Sequence, residues 1–78
     1  MTLEIISPSE ILFKGEADKV TLPGKLGSFT VLQNHASLIS VLNEGQIIYH
    51  TPGEGEKTLE IKGGLVDVDS NVVSVCVY

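Results

Sequence analysis

The shortness of its apolar segments is the feature that most constrains how this chain can fold. Turn-forming residues interrupt the sequence about every 8–12 residues, as in chains built of short strands. No segment sustains the 3.6-residue apolar period over the roughly 10–12 residues that a helix needs. We therefore predict an all-β fold, a flattened β-sandwich or barrel of about eight to ten short, mainly antiparallel strands.

Alternation of apolar and polar residues predicts where the strands lie. In Thr2–Ile6, Leu3 and Ile5 share one face and Glu4 lies on the other, which is typical of a half-buried strand. The same pattern is clearest in Lys57–Lys62. The other predicted strands are Lys19–Pro23, Phe29–Leu32, Ala36–Leu42, Gln46–His50, Leu65–Asp69 and Val72–Tyr78.

Three segments carry further expectations. Ser7–Glu10 is predicted to be a turn, with a helical turn capped by Ser7 or Ser9 as the alternative. Thr51–Glu56 combines turn residues with acids and has no apolar anchor, so we expect a mobile loop. Val72–Tyr78 is apolar on both faces apart from one serine, which indicates a central strand.

Size and charge limit the class of protein. A chain of 78 residues predicts one domain, residues 1–78, that buries roughly 60–65% of its extended surface. The net charge of −5 argues against a nucleic-acid partner. The longest apolar run, Ala36–Leu42, is far shorter than the roughly 20 residues that span a bilayer. The start of the chain lacks the basic residues of a secretory signal. These features indicate a soluble, acidic domain on the cytoplasmic side.

The residues that most often carry chemistry do not form a recognisable site. Cys76 is the only cysteine, so the chain has no internal disulfide, which favours a reducing compartment. His35 and His50 are the only histidines, and with Cys76 they fall short of the four ligands of a structural zinc site. We therefore predict no metal site and no cofactor.

Two catalytic or ligand-binding patterns can be drawn, and each is incomplete. Ser28 or Ser37 with His35 and Asp18 has the composition of a Ser-His-Asp triad, but the chain has no G-x-S-x-G turn to hold the nucleophile. Gly24-x-x-Gly27 resembles part of a phosphate loop but is followed neither by a Lys-Ser pair nor by a helix. We predict no catalytic residue, and interpret the glycines as part of a hairpin.

Surplus apolar residues are more informative. Six of them fall on strand faces opposite the presumed core residues, and a domain of this size cannot cover them all. A cluster of exposed apolar side chains marks an interface, so we predict a protein-binding face. The six are Ile6, Leu12, Ile39, Val41, Ile48 and Leu65.

The central segment Gly27–Leu38, GSFTVLQNHASL, resembles the signature of the epsilon subunit of F-type ATP synthase. That signature has glycine, a small or acidic residue, a large apolar residue, glycine, two apolar residues and then Pro-x-His-Ala-Pro-Leu. Thr30 replaces the second glycine here, and Gln33 and Ser37 replace the prolines. Supporting similarities lie in Leu3–Pro8, Leu12–Ala17, Asn43–Gly45 and Ile61–Val68.

The resemblance implies a non-catalytic rotor subunit in the central stalk of a proton-translocating ATP synthase. Such a subunit links the gamma subunit to the membrane ring, on the cytoplasmic face of the cell membrane. It meets the membrane only through the complex. Most family members continue into a two-helix hairpin, whereas this chain finishes at Tyr78. We therefore expect the hairpin, with its inhibitory and ATP-binding roles, to be absent.

The resemblance also suggests site residues. By position in the motif, Ser7, His35 and Ser40 correspond to contacts with gamma, and the surplus apolar residues add Ile6, Ile39 and Leu65 to that set. Contacts with the membrane ring correspond to Gly27, Ser28 and Phe29.

A second resemblance gives the alternative function. Glu16–Val20 is similar to the lysine hairpin of lipoyl carrier domains, which are also acidic and all-β, and the modified residue would be Lys19. In those domains the lysine lies at a mid-chain hairpin tip. Lys19 has only two strands before it, Thr2–Ile6 and the segment Leu12–Ala17 that resembles the second strand of the epsilon family, and it falls at a predicted strand start.

Overall fold

The computed structural model describes all 78 residues, and it contains nine strands and no helix. The predicted all-β fold is confirmed. No helix is present that could cross a membrane. The strands are β1 (Thr2–Ile6), β2 (Ile11–Glu16), β3 (Lys19–Gly24), β4 (Gly27–Leu32), β5 (Leu38–Leu42), β6 (Gly45–Thr51), β7 (Gly55–Ile61), β8 (Gly64–Asp69) and β9 (Val72–Val77).

Several strand ends differ from the predicted ones by one or two residues, and two of these differences have visible contacts beside them. The strand expected from Ala36 begins at Leu38, where the pairing of β5 with β8 starts, and the preceding Ser37 Oγ donates a hydrogen bond to Asp69 Oδ1 at 2.8 Å. The expected loop at 51–56 is a short turn between β6 and β7. There Thr51 Oγ1 donates to the Gly55 carbonyl at 3.2 Å, which satisfies a buried hydroxyl and shortens the turn.

All nine strands belong to one curled sheet. Its order is β2-β1-β9-β8-β5-β3-β6-β7, with β4 pairing with β3. The first layer comprises β2, β1, β9, β8 and β5, and the second comprises β4, β3, β6 and β7. Only β1 and β9 pair in parallel, so the first and last strands of the chain lie side by side. Every other pair is antiparallel.

The sheet passes from one layer to the other at a single residue pair, Gly24 with Leu42, which we call the joint. A backbone hydrogen bond from Lys25 N to the Val41 carbonyl, 2.9 Å long, lies on one side of it. A second bond, from Asn43 N to the Pro23 carbonyl at 2.8 Å, lies on the other. The end of the β3–β4 hairpin is therefore held against β5.

The core between the layers contains 16 buried apolar residues. Strand β9 supplies Val73, Val75 and Val77 and is paired on both sides, which confirms its predicted central position. Burying each such side chain contributes about 1.5–3 kcal/mol. At the β2 side of the molecule, the rings of Phe13 and Tyr49 pack 4.7 Å apart between the layers.

Candidate functional site

Strand register brings four apolar side chains into one line on the solvent-facing side of the first layer, which we call the outer face. Ile6 of β1 lies opposite Cys76 of β9, Cys76 opposite Leu65 of β8, and Leu65 opposite Val41 of β5. We call this line the apolar row. Alternation fixes its direction, because the neighbours Ile5, Val75, Val66 and Leu42 all point into the core.

The apolar row is open to solvent. Leu65 is 46% exposed and Val41 is 48% exposed, while Ile6 is half-buried. The row lines a shallow depression of about 490 Å³, whose wall also includes Ser7 and Tyr78. Six of the nine lining residues are apolar, so the depression can accept an apolar side chain of a partner.

A second feature is the end of the β3–β4 hairpin, residues 24–27, which we call the tip. Lys25 and Leu26 form the turn, and Leu26 is fully exposed. Gly27 has a φ of +131°, a conformation that L side chains rarely adopt. Gly24 is buried, and a Cβ there would lie 2.6 Å from the Gly27 carbonyl oxygen. The tip is therefore narrow and closely packed.

The structure brings together only part of the residue set predicted to contact gamma. Ile6, Ser7 and Leu65 line the depression, and Ile39 is 70% exposed one row further along β5. Ser40 lies opposite Val66 on the inward-facing side of β5 and is half-buried.

His35 lies away from the apolar row. It is exposed in the β4–β5 loop, whose Ser37 bonds Asp69 at the far end of β8 from Leu65. Its ring nitrogen Nδ1 is 2.7 Å from the Ala36 carbonyl oxygen, so the ring is held by its own loop.

The residues predicted to contact the membrane ring also lie in different surroundings. Gly27 and Ser28 are exposed near the tip, whereas Phe29 is half-buried, covers Gly24 and packs against the core. Sequence reasoning missed Leu26 and Lys25 as the most projecting residues. An apolar residue between two turn glycines was the available signal, because such a side chain has no core to enter.

The charged side chains of the molecule form five ion pairs and no metal-binding cluster. Four of the five ion pairs join solvent-accessible side chains, whereas the fifth joins the buried ammonium group of Met1 to Glu16. Glu54, whose carboxylate accepts a hydrogen bond from Lys57 Nζ, raises the pKa of Lys57 above 10.5. No group of three or more His, Cys, Asp or Glu side chains is placed to hold a metal ion.

Comparison with known proteins gives a consistent family. Residues 1–78 match the family described as "ATP synthase, Delta/Epsilon chain, beta-sandwich domain". An ATP synthase epsilon chain of Leptospira borgpetersenii is 39% identical over 75 residues, covering 96% of this chain and 58% of that protein. The epsilon chain of Sulfurimonas denitrificans is 40% identical over 77 residues, covering 99% and 59%. That of Chlorobaculum tepidum is 37% identical over 70 residues, covering 90% and 80%.

The resemblance seen in Gly27–Leu38 is thereby confirmed. The chain spans a little under three-fifths of the Leptospira and Sulfurimonas relatives. The lipoyl alternative is not supported. Lys19 begins β3 and is paired with Leu32 and His50, so it does not occupy the hairpin tip that a carrier lysine needs.

Solved structures share the fold. A chain of the Euglena gracilis mitochondrial ATP synthase structure, which contains OSCP, F1 and the c-ring, superposes with a TM-score of 0.89 at 23% identity. The match covers 96% of this chain and 48% of that one. A chain from the central stalk and c-ring of the Tetrahymena thermophila enzyme gives a TM-score of 0.81 at 15% identity, covering 97% and 61%.

Proposed function

Because this chain belongs to the family of ATP synthase delta/epsilon β-sandwich domains, we propose that it is a non-catalytic subunit of the central stalk. It links the gamma subunit to the membrane ring and helps couple proton flow to ATP synthesis. Its place is peripheral, on the cytoplasmic face of the membrane. The relatives named epsilon chain and the folds shared with ATP synthase structures support this proposal.

The apolar row is the observation that carries the proposal. A layer that buries one face in the core and leaves an apolar line on the other has a surface suited to a protein partner. The row runs across four neighbouring strands, so it presents a flat and rigid contact. We assign this outer face to gamma, with Ile6, Ser7, Leu65 and Ile39 within it; His35 and Ser40 are retained as contacts from the family motif alone.

The tip is assigned to the membrane ring. It projects Leu26 and Lys25 from a hairpin that the joint holds against β5. Gly27 and Ser28 flank the turn and are exposed, so their backbone is accessible to loops of the ring. The ring of Phe29 packs over Gly24 on the inner side of the tip.

Binding to recombinant gamma subunit tests the assignment of the outer face. An unpaired charge at the centre of an interface typically costs several kcal/mol. We expect Leu65→Asp and Val41→Asp, two changes within the apolar row, to abolish association, as measured by calorimetric titration. Leu32→Asp is the matched control, because Leu32 is 55% exposed on the second layer. Undiminished binding by both outer-face variants, with circular dichroism showing folded protein, would refute the assignment.

ATP-driven proton pumping in membrane vesicles tests the tip. A side chain at Gly27 must adopt the unfavourable positive φ, which costs roughly 1–2 kcal/mol and displaces the tip. We expect Gly27→Val to weaken coupling and Ser28→Ala to be nearly silent. A severe defect in Ser28→Ala alone would show that the loop acts through side-chain chemistry instead.

The proposal also predicts that the isolated chain neither hydrolyses nor binds ATP. The Gly24–Gly27 segment is a β-hairpin turn between β3 and β4, and it does not precede a helix as a phosphate loop does. Calorimetric titration with ATP should give no binding heat. Micromolar affinity would contradict this part of the proposal.

A further inference from the structure

We infer that the partner surface that covers the outer face carries basic side chains opposite Asp67 and Asp69, beside the apolar residues that contact the apolar row. This inference rests on the proposed docking of gamma to the outer face. It specifies the chemistry of the docked surface: apolar against the row, and lysine or arginine against the two carboxylates.

Strand register places the carboxylates next to the apolar residues. Asp67 and Asp69 alternate with core valines on β8, so both point outward on the same face as Leu65. Asp67 lies directly opposite Ile39 of β5, which is 70% exposed. Along β8 the outer face is therefore apolar at Leu65 and acidic at Asp67 and Asp69.

The geometry of this strand pair brings Asp67 close to Ile39. The carbonyl of Val41 accepts a hydrogen bond from Lys25, so it points away from β8. Directions alternate along a strand, so the backbone groups of Ile39 also point away from β8. Ile39 and Asp67 therefore form a non-hydrogen-bonded pair, the type with the closer side chains, about 4.5–5.5 Å between Cβ atoms.

Neither carboxylate has a cationic partner within the chain. None of the five ion pairs includes Asp67 or Asp69. Asp69 accepts only a neutral hydrogen bond, from Ser37. Glu4, which lies in the same cross-strand line as Asp67 through Ser74 of β9, is in contrast 3.9 Å from Lys14.

Covering Ile39 therefore has an electrostatic consequence. A partner that removes Ile39 from water also removes water from the adjoining Asp67 carboxylate. A desolvated carboxylate is costly unless a cation or several hydrogen-bond donors compensate it. Since no cation of this chain pairs with Asp67, the compensation must come from the partner, and lysine or arginine supplies both the charge and the hydrogen-bond donors.

The salt dependence of gamma binding tests the inference. We compare the wild-type chain, Asp67→Asn/Asp69→Asn, and Glu56→Gln/Glu60→Gln. The last pair removes the same charge from exposed positions on β7 of the second layer, and neither residue is in an ion pair. Wild-type affinity for recombinant gamma should fall as sodium chloride rises, because salt screens the facing charges.

The expected result is specific to one variant. Asp67→Asn/Asp69→Asn should bind roughly 3- to 10-fold more weakly at low salt and lose most of the salt dependence. Glu56→Gln/Glu60→Gln should bind like the wild type. Equal behaviour of the two double variants, or wild-type affinity that does not change with salt, overturns the inference. In either case Leu65→Asp still reports separately whether gamma docks on the outer face.

Discussion

At the scale of single residues, Gly24 and Gly27 are required for different reasons although both lie in the tip. A Cβ at Gly24 would lie 2.8 Å from the ring of Phe29, whereas a Cβ at Gly27 would meet nothing within 4 Å. Gly27 is instead constrained by its φ of +131°. Replacing Gly24 therefore creates a steric conflict, and replacing Gly27 creates backbone strain.

Double-mutant cycles with Phe29→Leu separate these two causes. We expect Gly24→Ala and Gly27→Ala each to reduce the free energy of unfolding by about 1–3 kcal/mol. Phe29→Leu should offset part of the loss from Gly24→Ala and none of the loss from Gly27→Ala. Urea denaturation measures all five variants. Equal coupling of both glycines to Phe29 would contradict this explanation.

The Glu54–Lys57 pair gives a residue-scale prediction for pH. The hydrogen bond and charge of Glu54 raise the pKa of Lys57 above its ordinary value of 10.5. The pair therefore stabilises the folded state fully at pH values below 10.5. That contribution is lost as pH rises through the raised pKa of Lys57. In thermal unfolding, the melting temperature of Glu54→Gln should be slightly below that of the wild type at neutral pH. The two melting temperatures should be equal at pH values well above 10.5. A difference that persists in alkali would exclude this pair as its cause.

At the scale of elements, local alternation was enough to position most strands, because one buried face imposes a period of two. It could not reveal which strands are neighbours. The six surplus apolar residues included Ile6, Val41 and Leu65, but only the register of β1, β9, β8 and β5 places them in one row. Ile48 lies in the second layer, away from them.

A different limit explains the residues that were misplaced. The motif gave positions for Ser40 and Phe29 along the chain but not the direction of their side chains. Strand alternation beside the outward-facing Ile39 and Val41 already places Ser40 on the core face. The local β3–β4 hairpin places Phe29 opposite the buried Leu22. Position in the motif alone therefore misassigned both residues.

Strand position predicts amide hydrogen exchange. Strand β9 is paired on both sides, whereas β7 is an edge strand paired only with β6. Backbone amides in β9 can open only with the whole sheet, so we expect them to exchange slowest. The amides of β7 that point away from β6 have no backbone partner, so they should be among the fastest-exchanging strand amides. Equal protection of the two strands in mass-spectrometric exchange would contradict this order.

At the scale of the whole molecule, the parallel pairing of β1 with β9 makes the fold depend on the strand formed by residues 72–77. Removing residues 72–78 would expose β1 and β8 along one edge each and take Val73, Val75 and Val77 from the core. A domain this small has only a few kcal/mol of stability in reserve. We expect the shortened chain to show no cooperative thermal unfolding by circular dichroism, while Val72→Thr, an exposed change on the same strand, unfolds normally.

The joint between the layers also determines how the molecule carries a load. A pull on the tip along the direction of β3 strains the Lys25–Val41 and Asn43–Pro23 hydrogen bonds at the same time, since both lie across that direction. Bonds loaded in shear fail together, whereas bonds that are peeled apart fail one by one. A load applied to the tip along β3 is therefore shared by both hydrogen bonds of the joint before it reaches β5 and the outer face.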